Sequence, residues 1–290
     1  MAKPSIPANA ARYREDPPWV RRLLIGTALT VLFVLVVIPL GSVFYQALSR
    51  GIGTYWDNLV GDRDTRHSIL LTLIVAPIAV AINTVFGIAA AWAIARFRFP
   101  GRTLLITLID LPFSVSPVVA GLIFVLIFGQ DGNIGRWLGS HGIHVLFSLP
   151  GLVIVTAFVT VPFVARELIP VMEALGPDED MAALSLGASG WQMFWRVTMP
   201  NIQWGLLYAV ILCNARAMGE FGAVYVVSGK ISGATDTMPL RVEKLMMEYK
   251  SPAAFAVASL LTLLAAASLF LKALVERQVR RQLAPEGPAS

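Results

Sequence analysis

Six long apolar stretches that are almost free of charge constrain this chain of 290 residues more than any other feature. They make up about half of the chain but hold only three of its 41 charged residues, Asp110, Arg216 and Glu220. Each stretch is long enough to cross a hydrocarbon core of about 30 Å as a helix. The stretches are 23–48, 67–95, 103–129, 145–165, 203–229 and 253–271.

The overall composition excludes several classes of protein. The chain is 56% apolar and 14% charged, whereas a soluble domain is about 25% charged. This low content of charge, and its depletion from the six stretches, exclude a soluble enzyme, a nucleic-acid binder and a disordered chain. The basic residues lie mostly between the apolar stretches, so the net positive charge does not indicate a nucleic-acid partner. We predict an all-α, polytopic membrane protein with six transmembrane helices.

The distribution of Lys and Arg predicts the orientation of the chain. Fourteen of them lie on the side of the two termini and eight lie on the opposite side. Since cytoplasmic segments carry the excess of basic residues, both termini are predicted to be cytoplasmic. The predicted regions are a cytoplasmic tail (1–22), a first transmembrane helix with an external loop (23–65), a membrane core (66–275) and a second cytoplasmic tail (276–290).

No catalytic residue, metal site or cofactor is predicted in this chain. The single cysteine, Cys213, lies inside the fifth apolar stretch, where a lone thiol is expected to pack against its neighbours. His67, His141 and His144 lie in or beside the external gaps and are not spaced as metal ligands.

The loop at 171–202 differs from a simple linker. Gly176-Pro177 is expected to end the preceding helix, and the three acids at 178–180 favour the start of a new one. A second short amphipathic helix is predicted at 191–197, ended by Pro200. Both helices would expose apolar faces, which favours a docking surface for a partner. The alternative is a helix that lies along the membrane interface.

The spacing within this loop resembles the EAA loop of ABC importer permeases. That family has Glu-Ala-Ala, three residues, Gly, nine residues, Ile, one residue and Leu-Pro. Here Met181 stands in place of the Glu, and Glu179 or Asp180 is a candidate replacement for its charge. The resemblance implies that the loop docks on a separate ATPase. The implied coupling residues are Glu179, Asp180, Met181, Ala182, Ala183, Gly187, Val197, Met199 and Pro200.

Four further motifs are similar to the permease subunits of sulfate/thiosulfate ABC importers, and among these to the W type. They are Asp110-Leu-Pro-Phe-Ser-Val-Ser-Pro-Val-Val-Ala-Gly121, Leu186-Gly-Ala-Ser-Gly-Trp-Gln-Met-Phe194, Asn214-Ala-Arg-Ala-Met-Gly-Glu-Phe-Gly-Ala223 and Ala253-Ala-Phe-Ala-Val-Ala-Ser-Leu-Leu261. The resemblance covers about 66–275. It implies a type-1 importer permease (MetI-like) in a bacterial inner membrane.

The resemblance also implies a set of partners. They are a T-type sulfate permease subunit that completes a heterodimer, two ATP-binding subunits that hold ATP and Mg, and a sulfate-binding protein outside the membrane. The implied substrate is sulfate or thiosulfate, and no nucleic acid is implied.

Arg216 indicates an anion path independently of the resemblance. It lies about 20 Å along the fifth stretch as a helix, where an arginine costs at least about 2.5 kcal/mol, so it should face the bundle interior or a water-filled cavity. Glu220 is one turn away and can pair with it. The pair is either a structural tie or a gate that meets the anion. The pathway candidates are Arg216, Glu220, Ser114, Ser116 and Asn214, and Asp110 is expected to be a structural partner.

Three alternatives remain open at this stage. A permease for molybdate, tungstate or another oxyanion has no motif against it, and a stand-alone secondary carrier is a weaker alternative. Gly187-Ala-Ser189-Gly190 matches the motif of rhomboid proteases, but Ser189 lies in a loop and the sixth stretch lacks a histidine base. The chain has no Walker loop, so we expect it not to hydrolyse ATP itself.

Overall fold

The computed structural model describes residues 17–283, with side chains to residue 274, and every regular element among them is a helix. Most of the predicted tails at 1–22 and 276–290 lie outside the described residues. The helices are α1 (Pro18–Leu48), α2 (Ile52–Trp56), α3 (Arg63–Arg96), α4 (Arg102–Ser114), α5 (Pro117–Phe128), α6 (Asn133–Ser140), α7 (Leu149–Leu175), α8 (Asp178–Ser185), α9 (Gly190–Met218), α10 (Gly222–Ser228), α11 (Met238–Met247) and α12 (Ser251–Leu283).

Six spans are present if each of two bent helix pairs counts as one. α1, α3, α7 and α12 are each long and apolar enough to cross a membrane. α4 and α5 meet at a bend of 108°, and α9 and α10 meet at a bend of 54°. The all-α fold with six spans is confirmed, and the stretches at 103–129 and 203–229 each contain a bent pair of helices.

The fourth span extends beyond its apolar stretch. The stretch at 145–165 is only part of α7, which continues to Leu175, includes Arg166 and Glu173, and ends at Gly176, where the sequence predicts the end of a helix. Hydropathy identifies the apolar part of a helix, whereas the helix ends where the backbone dihedral angles leave the helical region. Here that point is Gly176, which has φ 65° and cannot continue the helix.

α7 is the centre of the bundle, and α3 and α9 pack along it. Buried side chains of the three helices form one core cluster, which includes Ala76, Leu168 and Ile202. Buried polar groups add to this packing: the Asn83 amide donates to the Ala157 carbonyl at 3.0 Å and to the Thr160 hydroxyl at 2.8 Å. Such bonds between helices stabilise membrane bundles, since hydrocarbon offers no substitute.

α1 contrasts with the core. None of the residues in its most apolar window is buried within this chain. Its second half, Ile38–Leu48, contacts α12 and anchors it to the bundle. Length and hydropathy make α1 a span, whereas packing within the chain does little to hold it.

Gly87 sets the distance between α3 and α7. A Cβ at this position would lie 2.6 Å from Val164 Cγ1 and 2.7 Å from Val164 Cβ. Rotation of the valine side chain moves the Cγ atoms but leaves Cβ in place, so the helices themselves would have to separate. A glycine is therefore required here by close helix approach.

We expect Gly87→Ala to lower the melting temperature of the full chain in detergent. Overpacking typically costs about 1–3 kcal/mol, which outweighs the gain of about 1 kcal/mol in helix propensity. Gly41→Ala is the matched control, because a Cβ at Gly41 in α1 meets no atom within 4 Å. A Gly87→Ala chain that melts like the Gly41→Ala chain would contradict this account of the contact.

Candidate coupling loop and translocation path

The coupling helix, as we call α8, begins and ends where the sequence predicts. Its first turn holds Asp178, Glu179 and Asp180, whose charges suit the positive end of the helix dipole. At its other end the Gly187 N–H bonds the Leu184 carbonyl at 3.0 Å, and the next N–H bonds the Ala183 carbonyl at 3.1 Å. This is a Schellman motif, and it places Gly187 at φ 87°, which glycine adopts without strain.

Two carboxylates of this helix, those of Asp180 and Glu179, contact other parts of the chain. Asp180 is buried, pairs with Arg96 Nε at 2.7 Å and accepts from the Thr198 hydroxyl at 3.0 Å. Glu179 accepts a hydrogen bond from the Asn201 amide. Asp180 therefore does not present a charge to a partner, which corrects its assignment as a replacement for the missing Glu. It joins the coupling helix to the ends of α3 and α9.

Apolar side chains occupy the outer face of the loop, as predicted. Met181 is 63% exposed, Leu186 89% and Trp191 71%. Ala182 is also exposed, and Ala183 is half-buried. The surface that a partner would contact is thus apolar and aromatic.

The second short helix of the loop is not a separate element. Residues 191–197 form the beginning of α9, which runs through Pro200 into the fifth span. A π turn at Phe194–Thr198 precedes the proline, so Pro200 lies at the start of a new α segment, where no N–H is needed. Val197 and Met199 are half-buried and Pro200 is exposed in this region.

Ser189, the candidate nucleophile of the protease alternative, is the N-cap of α9. Its hydroxyl accepts from the Gln192 N–H at 3.3 Å, and the Gln192 side chain accepts from the Ser189 N–H at 2.9 Å. This capping box accounts for a serine at this position without any catalytic role.

The bend between α4 and α5 exposes two serines. Val115 and Ser116 have extended backbones, with ψ of 132° and 136°, and the residue before a proline is restricted to such a conformation. Pro117 then starts α5. Ser114 and Ser116 are both exposed in this single chain, so their hydroxyls and the unwound backbone are available to a ligand or a partner.

The bend between α9 and α10 contains the predicted ion pair. Arg216 Nη1 lies 2.6 Å from Glu220 Oε2. The Glu220 side chain is 1% exposed, whereas that of Arg216 is 36% exposed. Glu220 Oε1 also accepts from the Ala223 N–H at 3.1 Å, which caps the start of α10. The carboxylate is therefore a structural anchor, and part of the guanidinium stays accessible.

The two bends lie side by side. A Cβ on Gly222 would lie 3.0 Å from Pro117 Cβ, and a Cβ on Gly121 would lie 2.9 Å from the Ala223 carbonyl oxygen. α5 and α10 thus pack with almost no side chain between them. The exposed serines and the Arg216–Glu220 pair consequently flank one closely packed junction, whereas their positions are about 100 residues apart in the chain.

Two further predicted residues have structural partners. Asp110 Oδ1 lies 3.0 Å from Arg166 Nε, so Asp110 belongs to a structural ion pair, and its partner was not predicted. Asn214 is half-buried, and its amide lies 3.9 Å from Met218 Sδ. Sequence reasoning missed Arg96, Thr198 and Asn201, which carry the contacts of the coupling helix.

A cluster of charges at the opposite ends of the spans joins α3 to α11. Arg241 is buried and pairs with Asp62, and it lies 3.9 Å from the buried Asp236. Burial raises the pKa of Asp236 to about 6, and the neighbouring Asp64 and Glu243 add to this, whereas Lys244 and Arg241 oppose it. No group of three or more metal-ligating side chains is found among the described residues.

The fold defines the class of protein. A bacterial ABC transporter involved in the import of the acidic polysaccharide alginate matches with a TM-score of 0.74 and 16% identity, over 91% of this chain and 96% of that chain. At this identity the likeness shows the fold, which is that of an ABC importer permease. The chain belongs to the family described as binding-protein-dependent transport system inner membrane component, whose model matches residues 83–281.

Curated relatives are similar over nearly the whole chain. The sulfate transport system permease protein CysW of Escherichia coli (strain K12) is 52% identical over 272 residues, which is 93% of each chain. CysW of Synechocystis sp. (strain PCC 6803) is 52% identical over 259 residues, 89% of this chain and 94% of its own. The CysT permease of E. coli K12 is 37% identical over 249 residues, 86% and 88% of the two chains. The resemblance to W-type permeases is confirmed.

We expect Asp180→Asn to loosen the coupling helix. The substitution leaves Arg96 without its buried partner, and breaking a buried pair costs about 3–5 kcal/mol. Hydrogen exchange of the amides at 178–185 should become faster in the full chain. The charge-reversed double variant Arg96→Asp/Asp180→Arg should restore part of the protection.

Glu173→Gln is the matched control for this experiment. The Arg102–Glu173 pair has the same distance of 2.7 Å, but its side chains are 42% and 46% exposed, and exposed pairs contribute about 0–1 kcal/mol. Equal exchange in the Asp180→Asn and Glu173→Gln chains would show that burial of the Asp180 pair does not hold the helix.

Proposed function

We propose that this chain is the membrane permease subunit of an ATP-driven importer that carries sulfate or thiosulfate across the bacterial inner membrane. The observation that carries the proposal is the 52% identity to a sulfate transport permease over 93% of both chains. The partly exposed Arg216 in an apolar helix supports an anionic substrate, since an arginine in that setting needs water or an anion.

The proposed assembly supplies what this chain lacks. A T-type permease completes a heterodimer, as the existence of related CysT chains supports. Two ATP-binding subunits hold ATP and Mg, and a binding protein delivers the substrate to the external side. Both termini of the chain are cytoplasmic in this proposal, and the coupling helix faces the ATPase.

The proposed coupling runs through the coupling helix. Its apolar outer face, Met181 and Leu186 with Trp191, seats on the ATPase. Its inner face is tied to α3 and α9 by Asp180, so a movement of the ATPase displaces both helices together. Since α9 continues into the span that carries Arg216, the displacement reaches the junction of the two bends.

The substrate path is proposed to pass that junction. Arg216 supplies a positive charge that is shared with Glu220, and Ser114 and Ser116 supply hydroxyl donors from the unwound segment. When the pair opens, the guanidinium can bind a tetrahedral dianion. When the pair closes, the guanidinium of Arg216 returns to the Glu220 carboxylate, and the two charges cancel.

Molybdate and tungstate share the charge and shape of sulfate, so a permease for these oxyanions is the second candidate. The test is uptake of labelled sulfate by cells that lack the chain and are complemented with it, with molybdate as competitor. Sulfate uptake that molybdate does not suppress is the expected result. Preferred uptake of molybdate would assign the second candidate, and ATP hydrolysis by the purified chain alone would contradict the subunit role.

We expect Gly187→Leu to uncouple transport. The left-handed backbone costs other residues about 1–2 kcal/mol, and a side chain here extends from the surface that the ATPase is proposed to cover, since a Cβ meets no atom of this chain within 4 Å. Sulfate uptake should fall at least tenfold, the change that about 1.4 kcal/mol produces, while the amount of chain in the membrane stays the same.

Gly187→Asn separates the two causes, because asparagine tolerates the left-handed conformation but still adds a side chain. If the outer surface is the docking site, the Asn variant should also lose uptake while the helix end remains intact. Normal uptake by both variants would count against docking at Gly187.

We expect Arg216→Ala to reduce sulfate uptake. This variant also leaves Glu220 as an unpaired buried charge, which would itself destabilise the bundle. The double variant Arg216→Ala/Glu220→Gln removes that charge. Uptake that stays low in a normally inserted double variant supports contact with the anion, whereas recovery of uptake assigns Arg216 a purely structural role. Arg166→Ala, which breaks the more exposed Asp110 pair, is the control.

A further inference from the structure

A basic pocket lies where α3 ends and α4 begins. We call it the arginine pocket, and it has a volume of about 370 Å³, more than ten times the ~30 Å³ that one water occupies in the liquid. Its walls include three arginines together with the backbone turn before the coupling helix. The lining residues used below are Arg96, Arg98, Arg102, Phe97 and Pro177.

The charges of the pocket are not balanced. Arg96 pairs with Asp180 and Arg102 with Glu173, each at 2.7 Å. Arg98 is exposed and makes no ion pair or hydrogen bond with any residue in the described part of the chain. The pocket therefore carries one uncompensated positive charge, and the five N–H donors of Arg98 are unused.

The pocket lies close to the surface of the membrane. Residues 97–101 join α3 directly to the first half of the α4–α5 pair, so the three arginines are within one turn of two apolar helices. Phe97 is half-exposed and packs edge-on against Trp92, with ring centroids 5.8 Å apart. Aromatic and basic side chains together are typical of the level of the lipid headgroups.

We propose that the arginine pocket binds a phosphate group that carries one negative charge, the phosphodiester of an acidic phospholipid being its natural source. A single charge matches the single unpaired arginine, and a planar guanidinium suits phosphate oxygens. α4 begins at Arg102, in the pocket wall, with no acid in its first turn and no side-chain cap. The positive end of that helix therefore adds to the attraction.

Binding of a phosphate here bears on the coupling helix. Arg96 lines the pocket and also holds Asp180, and Pro177 in the pocket wall immediately precedes the coupling helix. An anion beside Arg98 lowers the repulsion among the three arginines and so stabilises the arrangement that holds Asp180. The lipid would act at the same junction through which the ATPase is proposed to move the bundle, but its binding is independent of the substrate that is transported.

The test is binding of defined lipids to the full chain purified in detergent, followed by native mass spectrometry. Phosphatidylglycerol should bind, and phosphatidylcholine should bind less. Arg98→Gln should weaken the binding of phosphatidylglycerol roughly fivefold, the change that ~1 kcal/mol per basic residue at a membrane surface produces. Arg50 is an exposed arginine that follows the end of α1 and does not line the pocket. Arg50→Gln should therefore leave the binding of phosphatidylglycerol unchanged.

Inorganic phosphate, added to the chain with bound phosphatidylglycerol, distinguishes the source of the phosphate group. If it displaces the lipid at equal concentration, and if it binds the wild-type chain but not the Arg98→Gln chain, the site is supported and free phosphate is assigned as the ligand. Equal binding of the two lipids, or equal binding by the wild-type and Arg98→Gln chains, would overturn the proposal. Loss of the lipid when the ATPase subunits are added would also overturn it, since a protein carboxylate would then be the occupant.

Discussion

Hydrocarbon offers no hydrogen-bond partners, so every backbone polar group in the apolar half of this chain must find one within the protein. The long spans meet this requirement as helices. The two bends do not, because residues 115–116 and 219–221 leave the helical ladder. Glu220 compensates at the second bend by accepting the Ala223 N–H while it holds Arg216. The bends are tolerated where the two half-helices α5 and α10 pack closely against each other.

The ion pairs of the chain divide according to burial. Glu220 and Asp180 are buried, and each accepts a hydrogen bond on one carboxylate oxygen while the other oxygen lies within ion-pair distance of an arginine. The Asp110–Arg166 and Arg102–Glu173 pairs are more exposed and contribute less to stability. Asp180 and Glu220 therefore connect separate parts of the chain: Asp180 joins the coupling helix to the bundle, and Glu220 joins the two parts of the bent span.

Much of the candidate site could be predicted because it depends on short-range geometry. The start of the coupling helix at three acids, its end at Gly187 and the pairing of Arg216 with Glu220 all involve residues within one or two turns. The end of α7 was predicted from Gly176-Pro177, although its apolar stretch ends at residue 165. The continuation of α9 through Pro200 could not be predicted, because a proline in the first turn of a new α segment follows a π turn without ending the helix. The ion pair of Asp180, one of two candidates for the missing charge, could not be predicted for a different reason: its partner lies 84 positions away at Arg96.

The sequence by itself determined that this chain crosses a membrane six times, that it carries an exposed amphipathic helix beginning at Asp178, and that an arginine and a glutamate pair within the fifth span. Those conclusions follow from charge depletion and from the 3.6-residue period, which act along the chain. Only the tertiary structure decided that the coupling helix is tied to α3 and α9, that the two bends meet, and that Arg98 finds no partner among the described residues. These three features depend on which distant segments of the chain pack together. The shape and polarity of whole helix faces determine that packing, and a local pattern of residues does not specify it.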